Sequence, residues 1–120
     1  RDYKVTGVQT CALPISVETY DRNYRLVLER LRGETTAKII LLEPFLLPVP
    51  GKESWREDLD PKRAVVRRLA DEFADAFVPL DDLFRARVRD ADPAYWAGDG
   101  VHPSPAGHAL IAEALLERLI

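Results

Sequence analysis

A short apolar run at residues 37–42 restricts the fold more than any other part of the sequence. The run from Ala37 to Leu42 is almost continuously apolar, contains two isoleucines and stops at Glu43 and Pro44. This length and composition are typical of a strand buried on both faces of a parallel sheet. A second short run, Ala76 to Leu80, predicts another strand. Parallel strands need helical crossovers, so the pair favours an α/β fold.

Helical periodicity occurs on both sides of these runs. The first predicted helix has Gly33 as its C-cap and an apolar face of Tyr20, Tyr24, Val27, Leu28 and Leu31. The second is predicted to start at Asp60-Pro61, with Val65, Val66, Leu69, Ala70 and Phe73 on its apolar face. A short helix is expected at Leu83 to Val88, and a last one after the Ser104-Pro105 cap. Residues 44–60 and 90–103 are predicted to be irregular, and the first of these loops to be long and exposed.

Composition narrows the choice of partners. The net charge is −3 with acidic and basic residues interleaved, so we predict no nucleic-acid partner. The basic clusters at Lys62, Arg63, Arg67, Arg68 and at Arg85, Arg87, Arg89 are interpreted as solvated helix faces. No apolar run reaches the ~20 residues of a membrane-spanning helix, so no membrane span is predicted.

The first sixteen residues show no clean helical or strand periodicity, unlike the sequence that follows. Residues Val5 to Ser16 resemble the translation of a sequencing-library adapter, and we expect residues 1–16 to be a non-native scar. Cys11, the one cysteine of the chain, lies in this segment and is given no catalytic or redox role. The sequence contains no methionine, and we expect residues 17–120 to be part of a single larger domain.

The candidate catalytic residues lie in the segment of residues 95–108. Its sequence is Tyr-Trp-Ala-Gly-Asp-Gly-Val-His-Pro-Ser-Pro-Ala-Gly-His. The spacing of Asp99 and His102, with Gly100 between them, lets the carboxylate fold back toward Nδ1 of the imidazole ring. Nε2 would then face outward as a general base. An isolated Asp-x-x-His pattern also occurs in caps, turns and metal sites.

The extended pattern from Asp99 to His108 closely resembles the last conserved block of SGNH/GDSL-type serine esterases. The resemblance extends over residues 17–120 and includes the strand ending in Glu43-Pro44 and the Tyr95-Trp96 pair. It implies an incomplete flavodoxin-like three-layer α/β/α fold, the SGNH hydrolase fold, whose parallel sheet lacks its N-terminal strands.

The resemblance also implies a Ser-His-Asp triad in which His102 is the acid and base and Asp99 orients it. The serine of that family lies in an upstream Gly-Asp-Ser block, and the oxyanion donors lie in that block and two further upstream blocks. None of these blocks occurs in the chain, so no nucleophile is assigned. Ser16, Ser54 and Ser104 lack the family's flanking residues, and Asn23 is predicted to be an exposed helix residue.

The implied substrate is a small-molecule acyl ester, such as a carbohydrate acetyl ester or a short acyl lipid, with no cofactor. Tyr95 and Trp96 either line the substrate pocket or pack against the last helix. Two other hypotheses stay open. Asp99, His102 and His108 are a possible metal-ligand set, although their spacing matches no common zinc motif. Alternatively, the chain is a non-catalytic fragment or a degenerate binding module. The sequence leaves compartment and oligomeric state undetermined.

Overall fold

The computed structural model describes residues 15–119. Its elements are α1 (Val17–Glu34), β1 (Ile40–Leu42), α2 (Trp55–Phe73), β2 (Ala76–Val78), α3 (Leu80–Arg87), α4 (Pro93–Trp96) and α5 (Pro105–Leu119). Cys11 and most of the expected scar lie outside the described residues. Within that range Ser16 forms the N-cap of α1, and its hydroxyl accepts a hydrogen bond from the Thr19 amide.

The two strands are parallel, as predicted, and α2 is the crossover between them. Their register pairs Ile40 with Ala76 and Leu42 with Val78. The strands are shorter than the apolar runs because Pro79 has no N–H to donate and Leu80 begins α3. Over residues 15–119 the sheet has these two strands alone. The prediction of an α/β fold with a small parallel sheet is therefore confirmed.

The sheet has a layer of helices on each face. Side chains alternate along a strand, so Leu41 and Ile40 point to opposite faces. Leu41 packs in a core with α1 and α2, formed by Leu28, Ile39, Leu41, Val65, Val66, Leu69 and Ala70. Ile40 packs against the second core, formed by Leu47, Val49, Val78, Leu80, Phe84, Trp96, Ala97, Leu110 and Ala114. The order of layers is thus helix, sheet, helix.

Several predicted boundaries are wrong for local reasons. Gly33 lies inside α1, whose C-cap is Thr35. The second helix begins at Trp55, not at Asp60, and contains Pro61. The side chain of Asp60 accepts hydrogen bonds from Arg56 and Arg63 instead of capping the helix.

The irregular segment of residues 44–54 is exposed only in part, although its prolines predicted an exposed loop throughout. Leu46, Leu47 and Val49 are buried, and the segment follows the carboxyl end of β1. Within the predicted irregular region 90–103, Asp92 caps the short helix α4 by accepting a hydrogen bond from the Ala94 amide. These two segments pack against each other and frame the candidate site.

Candidate active site

The loop between α4 and α5 is fixed at both of its ends. The Ser104 amide donates to the Trp96 carbonyl oxygen at 2.8 Å. The Ser104 hydroxyl donates to the Tyr95 carbonyl at 2.6 Å and accepts from the Gly107 amide at 3.1 Å. Ser104 therefore caps α5, as predicted, and also ties the start of α5 to the end of α4. Residues 97–103 are held as a closed loop.

Gly100 allows this loop to turn beneath the neighbouring segment. Its φ of +88° lies in the left-handed region, which side chains rarely adopt. Its amide donates to the Ala97 carbonyl at 3.0 Å, and its carbonyl accepts from the Leu47 amide at 2.9 Å. A Cβ at this position would lie 2.9 Å from Cγ2 of Val49. The loop thus needs glycine here for both conformation and space.

Asp99 and His102, on either side of that turn, form one hydrogen-bonded unit. One carboxylate oxygen of Asp99, Oδ1, accepts from the backbone amides of Val101 at 3.0 Å and His102 at 2.7 Å. The other, Oδ2, lies 2.5 Å from Nδ1 of His102. The backbone amides fix the carboxylate, and the carboxylate fixes the ring. Nε2 lies on the opposite side of the imidazole from Asp99.

These contacts favour the ionised form of Asp99. The hydrogen bond from the His102 ring is the largest cause, followed by that from the His102 amide, and together they hold the pKa of Asp99 well below its usual range. The pair is nevertheless open to solvent, since the side chain of His102 is 85% exposed and that of Asp99 is 45% exposed. Among residues 15–119, the hydrogen bonds of the His102 side chain go to Asp99 alone.

The two aromatic candidates behave differently. Trp96 is 8% exposed and belongs to the core under α5, whereas Tyr95 is 57% exposed. Their rings meet edge to face with centroids 4.8 Å apart. Trp96 therefore packs as a core residue, while Tyr95 stands beside the loop. A role in substrate binding stays a prediction for both.

Three further residues with candidate side chains, His108, Ser54 and Asn23, form no hydrogen bond to Asp99 or His102. His108 is exposed on the first turn of α5, where its amide donates to the Ser104 carbonyl. Ser54 stands before α2 without a side-chain capping bond. Asn23 is exposed on α1, as predicted. In the part of the chain that the structure describes, no group of three His, Cys, Asp or Glu side chains is arranged to hold a metal ion.

Sequence reasoning missed a network of buried charges at the carboxyl end of the sheet. Glu43 follows β1 directly, and its side chain is fully buried, 2.7 Å from Nε of Arg67 and 3.2 Å from Nε of Arg63. Asp81, close after β2, has a side chain that is 1% exposed and lies 2.9 Å from Arg56. The interpretation of the Lys62–Arg68 cluster as a solvated helix face is therefore wrong for Arg63, and also for Lys62, which is 8% exposed. The available signal was an acidic residue just after each buried strand.

Comparison with known proteins identifies the family. The sequence pattern of the GDSL-like lipase/acylhydrolase family matches residues 6–110. An acetylxylan esterase from Geobacillus stearothermophilus is 35% identical over 81 residues, which cover 68% of this chain and 37% of that protein. The chain belongs to the GDSL-like lipase/acylhydrolase family.

Solved structures agree with this assignment. A protein described as a GDSL-like lipase from Parabacteroides merdae superposes with a TM-score of 0.78 at 34% identity, covering 86% of this chain and 49% of that one. The Geobacillus acetylxylan esterase superposes with a TM-score of 0.74 at 29% identity, covering 85% and 46%. Structures described as its catalytic mutants, with a serine, a histidine or an aspartate changed to alanine, are also similar. The chain spans about half the length, or less, of these relatives.

Proposed function

We propose that this chain is the C-terminal part of a GDSL-type esterase in which His102 is the general base and acid and Asp99 orients it. The observation that carries the proposal is the Asp99–His102 unit itself. Two backbone amides and the ring nitrogen hold the carboxylate, and Nε2 is left toward solvent where a nucleophile can approach. This arrangement selects the tautomer with the proton on Nδ1 and a free lone pair on Nε2.

In the proposed reaction, a serine hydroxyl from outside this chain attacks the ester carbonyl. His102 takes the hydroxyl proton at Nε2 and gives it to the departing alkoxide, and a water molecule then hydrolyses the acyl-serine by the same route. Asp99 stabilises the imidazolium that forms in each half. The products are a carboxylic acid and an alcohol, and no cofactor enters the balance.

The source of the serine follows from the chain's own hydroxyl groups. Ser104 is occupied by its bonds to Tyr95 and Gly107, Ser16 caps α1, and Ser54 lacks the flanking residues of the family's serine block. In the Geobacillus esterase, the catalytic mutants include a serine, together with an aspartate and a histidine spaced three residues apart. Asp99 and His102 have that same spacing. The nucleophile of the whole enzyme is therefore proposed to lie in sequence preceding residue 17.

The proposed substrate class is acetyl esters of carbohydrates. Its support is the naming of the relatives, one of which is described as an acetyl-xylooligosaccharide esterase. Exposed Tyr95, close in sequence to Asp99, is proposed to contact the sugar, because a flat aromatic ring with a polar tip suits such a surface. Short acyl lipids are the competing class. No helix within residues 15–119 is long and apolar enough to cross a membrane.

The test joins this chain to the coding sequence that precedes it in the source DNA. The completed protein is assayed on p-nitrophenyl acetate and on acetylated xylo-oligosaccharides. His102→Ala is expected to lower kcat by a factor on the order of 10³ or more, and Asp99→Asn by a similar or smaller factor. The 120-residue chain alone is expected to show no turnover and no labelling by a fluorophosphonate.

His108→Ala is the matched control, since His108 is an exposed histidine six positions away with no bond to Asp99. It is expected to change kcat by less than about threefold. Wild-type turnover in the His102 variant would refute the catalytic assignment. If the upstream sequence holds no serine block and the completed protein has no activity, the chain is a non-catalytic fragment or a degenerate binding module.

A further inference from the structure

Asp81 is a buried carboxylate whose two oxygens have separate partners. Oδ1 accepts from the Leu46 amide at 3.0 Å, and Oδ2 lies 2.9 Å from Nη1 of Arg56 and 3.1 Å from Nε of Arg85, one helical turn further along α3. A carboxylate that is 1% exposed is costly to bury unless every such partner is in place. Of the side chains that pair with this carboxylate, Arg56 is the one that also bonds to Leu46.

Arg56 closes a ring through the same backbone residue. Its Nη2 donates to the Leu46 carbonyl at 2.6 Å, while Nη1 pairs with Asp81. The amide and the carbonyl of Leu46 are thus both held by charged side chains. Charge-assisted bonds of this kind are shorter and stronger than neutral ones. They therefore fix the position and orientation of the Leu46 backbone.

The next residue passes this constraint to the candidate site. The Leu47 amide donates to the Gly100 carbonyl at 2.9 Å, and the Leu47 carbonyl would lie 3.2 Å from a Cβ at Gly100. Gly100 is the turn residue between Asp99 and His102. Any shift of the segment at residues 46–47 is therefore transmitted to the loop that holds the two side chains.

We propose that Asp81 and Arg56 are positioning residues for the Asp99–His102 pair, acting through Leu46, Leu47 and Gly100. Their catalytic importance rests on the proposed function, but the mechanical link does not. A small displacement is enough to matter, because a misplacement of about 1 Å in a reacting group costs roughly 10²-fold in rate.

The test is amide proton exchange by NMR in the full 120-residue chain, which needs no enzymatic activity. In Arg56→Ala, exchange at Leu47, Val101 and His102 is expected to become at least tenfold faster. Exchange at Leu28 and Leu69, in the opposite core, is expected to change less than about threefold. Arg56→Lys keeps the charge without the fork of two donors, and is expected to restore the loop amides only in part.

Arg63→Ala is the matched control. Arg63 is more buried than Arg56 and also lies 3.5 Å from Asp81, yet its hydrogen bonds within the described residues go to side chains and not to Leu46. In this variant, exchange at Leu47, Val101 and His102 is expected to change by the same factor as exchange at Leu28 and Leu69. If Arg56→Ala unfolds, Asp81→Asn is the second variant, because it keeps an acceptor for the Leu46 amide and removes the charge that pairs with Arg56, Arg63 and Arg85.

Faster exchange confined to Leu47, Val101 and His102 in Arg56→Ala or Asp81→Asn supports the proposal. Uniform acceleration at all five amides overturns it, and so does an equal loop effect in Arg63→Ala. In the completed enzyme, the expected effect of Arg56→Ala is a lower kcat with KM unchanged within about twofold. If exchange at these amides changes as expected but the completed wild-type protein has no esterase activity, the proposed function alone is refuted.

Discussion

At the scale of single residues, the electrostatics of the candidate site centre on Asp99. The ring of His102 and the amides of His102 and Val101 all donate to its carboxylate, which holds its pKa well below the ordinary value. A depressed pKa means that the ionised form stabilises the loop above the ordinary pKa, and that this stabilisation is lost only as the pH falls through the lower folded-state value.

We therefore expect Asp99 to stay ionised at about pH 3, where an ordinary aspartate with a pKa of about 3.9 is mostly protonated. Carbon-13 NMR of the carboxyl group measures this directly. In His102→Ala the pKa of Asp99 is expected to rise toward its ordinary value, because the largest cause of the shift is gone. An unchanged titration in that variant would contradict the geometry described here.

Gly100 gives a second prediction at this scale. Gly100→Ala places a Cβ 2.9 Å from Val49 and 3.2 Å from the Leu47 carbonyl, at a φ of +88°. Strain of this kind costs about 1–3 kcal/mol, and urea unfolding measures it. Gly98→Ala is the control, since a Cβ there has nothing within 4 Å and no positive φ is involved. Equal losses in the two variants would mean that the turn does not need glycine.

At the scale of elements, Glu43 connects β1, α2 and α3. Its Oε1 accepts from the Asp81 amide at the start of α3 at 3.0 Å, and its Oε2 pairs with Arg63 and Arg67 of α2. A carboxylate at the N-terminus of a helix also complements the positive end of the helix dipole. One buried side chain at the end of β1 thus pairs with donors from both α2 and α3.

We expect Glu43→Ala to lower the free energy of unfolding by about 3–5 kcal/mol, because it leaves buried donors without their charge partner. Glu72→Ala is the control. Glu72 forms an equally short pair with Arg25, at 2.7 Å, but its side chain is 43% exposed, so its loss is expected to be much smaller. Similar losses in the two variants, measured by urea unfolding, would refute the role given to Glu43.

Elements with local signals were predictable from the sequence. The short apolar run that contains β1 and the Ser104-Pro105 cap of α5 are read from a few neighbouring residues, and both occur as expected. The Asp99–His102 contact is likewise short-range, since it spans one turn. The contact between Asp99 and His102 could therefore be predicted from the sequence, whereas its surroundings could not.

The surroundings depend on contacts between distant parts of the chain. Leu46 and Leu47 read as part of a proline-rich loop, yet they are buried, and their backbone groups bond to Arg56 and to the more distant Asp81 and Gly100. A helical pattern likewise shows that Arg63 is off the apolar face, but not that a buried carboxylate faces it. Tertiary pairing of charges leaves little trace in local periodicity.

At the scale of the whole molecule, one side of the described chain presents apolar side chains to solvent. Val27 and Leu31 on α1 are 58% and 43% exposed, although both were predicted to face a core. They line a groove of about 550 Å³ that is shared with residues of β1, Ile40 and Leu41. Among residues 15–119, β1 pairs with β2 alone, so its other edge also has unpaired backbone groups.

An apolar groove beside an open strand edge is a surface on which chains associate. We therefore expect the 120-residue chain to self-associate as its concentration rises, as measured by sedimentation velocity. Val27→Lys with Leu31→Glu is expected to lower this association at least tenfold without lowering Tm, since both side chains already meet water. Leu116→Lys, at a leucine of α5 that is 57% exposed, is expected to leave association within about twofold of wild type.

The same surface connects self-association to the proposed function. If the preceding sequence supplies the strands that cover this groove, the completed protein is expected to be free of the concentration-dependent association, and the Val27 and Leu31 substitutions are expected to destabilise it. They change from neutral to costly because polar side chains then enter a core. If both substitutions stay neutral in the completed protein, the preceding sequence packs elsewhere, and the nucleophile it carries is not brought to His102 by this route.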